Sequence, residues 1–229
     1  NHCIKKISST GVLSAVAGTC GTAGTLNGAV GVGRMNAPEG IQYYENGSHK
    51  GIVVGASGSA RLMFYRISGP SLLFGGTIVP GDTNVVACGG TYHTDGVNGT
   101  LAICSGVYGA TVLGTSVCFT NYTYHNVRCL NTSGQVSTMM GAMQGIDDNA
   151  PGTFFPGNGF AAEDFISTSP NYASQNGVTA YYLPSPVAEP NYTDSFGVLT
   201  FPITILGINS TTMFIGEYNM GFVRKVKVP

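Results

Sequence analysis

Residues 84–133 read NVVACGGTYHTDGVNGTLAICSGVYGATVLGTSVCFTNYTYHNVRCLNTS, and this stretch decides the fold. Short β-prone runs at 85–88, 101–104 and 117–124 alternate with clusters of Gly, Asn and Asp, the pattern of tightly turning antiparallel strands. Such strands bring cysteines on neighbouring segments within bridging distance. Cys88, Cys104, Cys118 and Cys129 lie here, as do the Asn-X-Ser/Thr sequons at Asn98, Asn121 and Asn131.

Working outward, the same strand-and-turn rhythm continues on both sides. Upstream, 41–44, 52–55, 61–67 and 72–79 read as strands, and Pro80-Gly81-Asp82-Thr83 is a turn. In 61–67, Leu62, Phe64 and Arg66 share one face while Met63, Tyr65 and Ile67 share the other, so both faces are expected to be covered. Downstream, Leu199, Phe201, Ile203 and Ile205 alternate with polar residues and Pro202, which puts that strand at an edge or a bulge. Residues 212–215 and 222–228 add two more strands, the last carrying Lys225 and Lys227 on one face as an edge guard. Val136, Met139, Met140 and Met143 fall at helical spacing, although Gly141 and Gly145 weaken a helix there. The expected fold is all-β, an antiparallel β-sandwich (Ig-like or jelly-roll-like) with a long irregular insertion at 147–190 and at most one or two short helices.

The remaining segment, residues 1–34, carries no charge between Lys6 and Arg34 and sets apolar residues among glycines. Two readings follow: strands of the chain's own sheet, or a donor strand offered to another subunit by β-augmentation. Residues 35–229 then form a single β domain. Cys3 and Cys20 can clamp the N-terminal segment, with Cys88 or another cysteine as the alternative partner; six cysteines allow 15 pairings.

Composition bounds the function. Of 229 residues only 9% are charged, against roughly 25% in an ordinary soluble domain, and Gly reaches 34. A net charge of −1 offers no field for phosphate, so nucleic acid is not an expected partner. No stretch is apolar enough to span a bilayer as a helix. Sequons at Asn46, Asn98, Asn121, Asn131, Asn191 and Asn209, an even cysteine count and low charge together point to an extracellular or cell-surface glycoprotein with N-linked glycans. The chain begins at Asn1 rather than Met, which leads to the expectation of an upstream segment of secretory type.

Catalytic patterns are weak. His93-Thr94-Asp95 sets a His beside an Asp, but no serine sits in a nucleophile elbow, Ser57 included. No C-x-x-C or H-x-x-x-H pair invites zinc, and Asp147-Asp148-Asn149 lacks the order of a calcium loop. Neither a catalytic residue nor a metal or other cofactor is therefore expected. Tyr43, Tyr44, Tyr181 and Tyr182 are candidate platforms for sugar. The leading functional expectation is a non-enzymatic structural subunit that assembles with copies of itself into an extracellular filament, fibre or surface layer. The alternative is a monomeric secreted carbohydrate-binding, lectin-like or hydrolytic domain.

Overall fold

The computed structural model describes residues 1–91, 96–141, 172–175, 178–181, 202–218 and 223–227, and these are almost entirely β. A first hairpin joins β1 (Cys3–Ile7) to β2 (Leu13–Gly18). Sheet I then takes β3 (Gly28–Ala29), β4 (Pro38–Asn46), β5 (His49–Ala56), β6 (Arg61–Ser68) and β9 (Asp82–Ala87) in the order β3-β9-β6-β5-β4. A two-residue-strand hairpin, β7 (Leu72–Leu73) with β8 (Gly76–Thr77), interrupts it. Sheet II takes β10 (Val97–Asn98), β11 (Ala110–Leu113), β12 (Ser116–Asn121), β13 (Asn126–Leu130) and β14 (Gln135–Gly141) in the order β10-β14-β13-β12-β11. The hairpin of β15 (Tyr172–Gln175) and β16 (Val178–Tyr181) stands as a sheet of its own. Sheet III is β17 (Pro202–Asn209), β18 (Thr212–Glu217) and β19 (Val223–Lys227).

Within each of the three main sheets the long strands follow one another in chain order, every pair antiparallel, which is a meander. The first strands, β4, β11 and β17, lie side by side at one edge of the stack. Successive meanders stacked with their first strands adjacent are arranged as neighbouring blades are in a β-propeller. Sheets I and II, and sheets II and III, face each other across a core, as in a sandwich.

Three apolar clusters fill the layers. Between sheets I and II, Tyr44, Phe64 and Phe74 meet edge to face with ring centroids 5.3–5.6 Å apart, surrounded by Leu62, Phe119 and Leu130. Between sheets II and III lie Leu113, Val127, Ile205, Met213, Ile215 and Val226 with the Cys118–Cys129 bridge. On the far face of sheet I, Met35, Val54 and Met63 pack with Ala17 and Ile4 of the first hairpin. The strand at 61–67 is therefore covered on both faces as its sequence implied, Phe64 facing one cluster and Met63 the other. Pro202 opens edge strand β17 at a register shift, so it costs no ladder hydrogen bond.

Several local expectations change. The helical spacing at 136–143 gives way to strand β14. Val136 packs into the cluster between sheets I and II and Met139 against the one between II and III, so these two members of the stripe lie on opposite faces of one strand, while Gln135 and Ser137 are exposed and Met143 lies outside the described residues. The run at 101–104 is not a strand; a 3₁₀ turn, Gly99–Leu101, leads into a loop. The run at 72–79 folds back as the β7–β8 hairpin. Residues 1–34 pair within the chain: β1 with β2, and Gly28–Ala29 with Thr83 and Asp82 at the edge of sheet I.

All six cysteines are bridged, Cys3–Cys20, Cys88–Cys104 and Cys118–Cys129. The first clamps the N-terminal hairpin. The second fastens the end of β9 to the loop before β11, and the third joins register partners on β12 and β13. Three such bridges fit a chain that lives outside the reducing cytosol. Among the described residues no helix is long and apolar enough to cross a membrane.

Candidate functional site

Where β4, β11 and β17 come together, glycines let the backbones touch. A Cβ on Gly40 would run into the carbonyl oxygen of Tyr108, and one on Gly109 would lie 2.9 Å from the oxygen of Ile203 and 3.0 Å from the nitrogen of Ile205. The segment leading into β11 is thus pressed between the first strands of sheets I and III. The Gly109 N–H donates to Thr120 Oγ1 at 2.8 Å, and the Tyr122 N–H donates to the Gly106 carbonyl at 3.0 Å, so this segment also stays tied to β12.

These contacts leave a crevice of about 610 Å³ across the three strands. Tyr108, Tyr122 and Tyr218 line it with Glu39, Gln42 and Thr204, over apolar surface from Ile41, Ile203 and Leu206. Tyr108 and Tyr122 pack ring to ring, centroids 4.9 Å apart and planes tilted by 54°. Burial pushes the Tyr122 phenol above its ordinary value, and the neighbouring Tyr108 and Tyr218 add to the rise. Among the described lining residues Glu39 is the one ionisable group apart from the phenols, and its Oε1 accepts a hydrogen bond from Ser57 Oγ at 2.6 Å. Three aromatic faces beside a carboxylate suit a neutral or cationic ligand better than an anion.

Of the tyrosines singled out from sequence, Tyr43 and Tyr44 lie elsewhere. Tyr44 is core, its ring against Phe64 and Phe74 and its hydroxyl donating to the Thr115 carbonyl at 3.2 Å. Tyr43 is exposed on β4 and donates to Glu45 Oε2 at 3.0 Å; desolvation first, and then Glu45, raise its phenol. Tyr181 ends β16, and Tyr182 lies outside the described residues. The pair that does meet, Tyr108 and Tyr122, stands alone at each position in the sequence, and a long-range backbone contact brings the two together. The one local cue was Gly106, whose φ of 70° makes room for both rings.

Other named residues are placed as follows. Ser57 begins a 3₁₀ turn, Ser57–Ser59, with its hydroxyl on Glu39 and Ala37. His93, Asp95 and the triplet Asp147, Asp148 and Asn149 lie outside the described residues, as does sequon Asn191. Among the described residues no three His, Cys, Asp or Glu side chains are grouped as a metal would need. Asn46 is half-buried at the end of β4 rather than fully exposed, Asn121 is buried, and Asn98 and Asn209 are exposed.

No family model matches the chain, and no curated protein does. Its fold is similar to that of two solved proteins from Bacteroides thetaiotaomicron. One is a structural genomics protein of unknown function, 13% identical over 100% of this chain with a TM-score of 0.55. The other is described as an auxiliary nutrient binding protein, 13% identical over 99% of this chain, also with a TM-score of 0.55. The match spans 43% of each of those chains. At this identity the likeness shows the fold alone: an antiparallel all-β scaffold of stacked sheets.

Proposed function

We propose that this chain is a non-catalytic binding module of an extracellular, disulfide-bonded protein, and that it takes a neutral carbohydrate in the tyrosine crevice. The observation that carries the reading is the convergence of Tyr108, Tyr122 and Tyr218 on one space beside Glu39 and Gln42. Sugar rings present C–H faces that pack on aromatic rings and hydroxyls that exchange hydrogen bonds with phenols, carboxylates and carboxamides. A glycosidase needs two opposed carboxylates, and among the described residues the crevice lining supplies Glu39. The nutrient-binding description of one structural neighbour agrees with a binding role, with no weight beyond fold likeness.

The test is a glycan array followed by calorimetry on the best neutral sugar, with Tyr122→Ala alongside. Binding that saturates in wild type and weakens about tenfold in the variant, or about 1.4 kcal/mol, is expected. An array empty of neutral sugars, or equal affinity in the two proteins, rejects the reading.

A second reading, the self-assembling structural subunit, is favoured by one separate feature. The outer face of sheet III exposes Leu206, Ile208 and Val223 around half-buried Phe214, an apolar face on an edge-bounded meander. Low surface charge adds to it. Light scattering after size-exclusion chromatography separates the two: concentration-dependent growth that Ile208→Lys, outside the crevice lining, abolishes supports assembly, and a constant monomer mass removes it.

A further inference from the structure

The sequons differ in what their Asn side chains already do. At Asn98 the carboxamide oxygen accepts both the Thr100 backbone N–H at 3.0 Å and the Thr100 hydroxyl at 2.7 Å. At Asn209 the same pair of bonds comes from Thr211, at 2.9 Å and 3.0 Å. In both sequons the Asn and the Thr are exposed, and neither Asn Nδ2 donates to any described residue. The oxygen is held and the nitrogen is left open.

Elsewhere the nitrogen or the whole side chain is committed. Asn121 is only 1% exposed, and its oxygen holds the Ser105 N–H at 2.6 Å. Half-buried Asn131 uses both ends of its carboxamide on Gln135, the oxygen on the backbone N–H at 2.9 Å and Nδ2 on Oε1 at 3.4 Å. Asn46 Nδ2 points to the Tyr44 hydroxyl at 3.4 Å.

We propose that the folded, secreted chain carries N-linked glycan at Asn98 and Asn209 and none at Asn121. The donor class is an oligosaccharide linked through a diphosphate to a lipid. Nδ2 attacks the anomeric carbon, a C–N bond forms, and the C–O bond to the diphosphate breaks. The lipid diphosphate leaves with the electron pair, and the amide proton passes to a base of the transferase. A sugar on Asn121 Nδ2 would have to enter a space closed around a side chain only 1% exposed, so a chain carrying one would not reach this fold. Asn98 sits on β10, the outer edge strand of sheet II, and Asn209 is the last residue of β17, at the end away from the crevice. Glycan at Asn98 would cover an open sheet edge, and neither sugar would cross the tyrosines.

The experiment is secretion from a eukaryotic cell line, enzymatic deglycosylation in heavy-oxygen water, and peptide mapping of the soluble folded fraction. Label is expected on Asn98 and Asn209 in most molecules and is expected to be absent from Asn121. Thr100→Ala and Thr211→Ala should each remove one glycan's mass with unchanged circular dichroism, and Asn121→Gln should remove none. Unlabelled Asn98 or Asn209 overturns that site's assignment, and label on Asn121 in folded protein overturns the exclusion. If Asn121→Gln does not fold, the wild-type peptide map alone decides.

Discussion

The two faces of sheet II are sealed in different ways. Toward sheet I the contact is made by rings: Tyr44, Phe64 and Phe74 form a closed edge-to-face triad against Phe119 and Leu130, and every one of these side chains is almost wholly buried. Toward sheet III the cluster is smaller and aliphatic, held by Met213, Ile215 and the Cys118–Cys129 bridge, and the sheets meet at their first strands through the bare backbone of Gly109. The first interface is filled by side chains. The second brings main chains close at one edge and leaves the crevice beside that contact. The densest packing and the crevice are thus separate features of the stack.

The largest expected effect breaks the aromatic side. Phe64→Ala removes the ring that touches both Tyr44 and Phe74, and should cost about 3–5 kcal/mol. Ile215→Ala on the other face should cost about 2 kcal/mol, the lower end for its type, because the unbranched Met213 side chain can move into the gap. Urea titration of both variants measures the difference; equal losses would mean that the two interfaces are packed alike. Next comes Gly109→Ala. Its methyl would sit 2.9 Å from the Ile203 oxygen and force β17 off β11, at about 1–3 kcal/mol. The crevice should open with it, so sugar affinity should fall together with stability, whereas Tyr122→Ala should lower affinity and leave stability nearly unchanged.

The two interfaces were also unequally legible in the sequence. The ring-filled side announced itself: the two-faced strand holding Phe64, the turn at Pro80-Gly81, and the cysteine-rich meander all follow from alternation and breakers. Val136 and Met139 were misread as one helical stripe because each packs into a different cluster on opposite faces of β14, and apolar residues three apart on the two faces of a strand repeat the spacing of a helix. The crevice left almost no trace. Tyr108 and Tyr122 are separated in sequence, and backbone bonds such as Tyr122 to Gly106 and Thr123 to Ser105, with the close approach at Gly109, bring them together through pairing between distant segments. Adjacent Tyr43 and Tyr44 looked more like a binding pair, yet a strand turns neighbouring residues to opposite faces, so one went to solvent and the other to the core.

A smaller effect tests whether the aromatic side carries unnecessary polarity. Arg66 is fully buried on the same strand as Phe64. Its Nη2 meets His49 Nδ1 at 3.1 Å, while Nε and Nη1 find no partner among the described residues. Desolvation draws its guanidinium below the ordinary arginine value. A buried charge with unsatisfied N–H groups costs stability, so Arg66→Met, similar in length and apolar, should stabilise the chain by about 1 kcal/mol. A loss of stability would show that the guanidinium is satisfied in solution.

The smallest effect belongs to the crevice side, in the turn that carries Tyr122. His125 lies in that turn, its backbone N–H donating to the Tyr122 carbonyl at 3.2 Å, and burial holds its imidazole below the ordinary histidine value of about 6.5. The lowered value fixes the sign. The folded chain resists protonation, while the unfolded chain takes up the proton as pH falls through 6.5. Stability from this group is therefore complete above 6.5 and declines below it, down to the folded-state value. His125→Asn tests the assignment well, because Asn tolerates the left-handed backbone at this position, φ 52°, and does not titrate. Thermal melts across that window should fall with pH in wild type and flatten in the variant. An unchanged slope would assign the pH dependence to another group and leave the Tyr122 turn insensitive to protons.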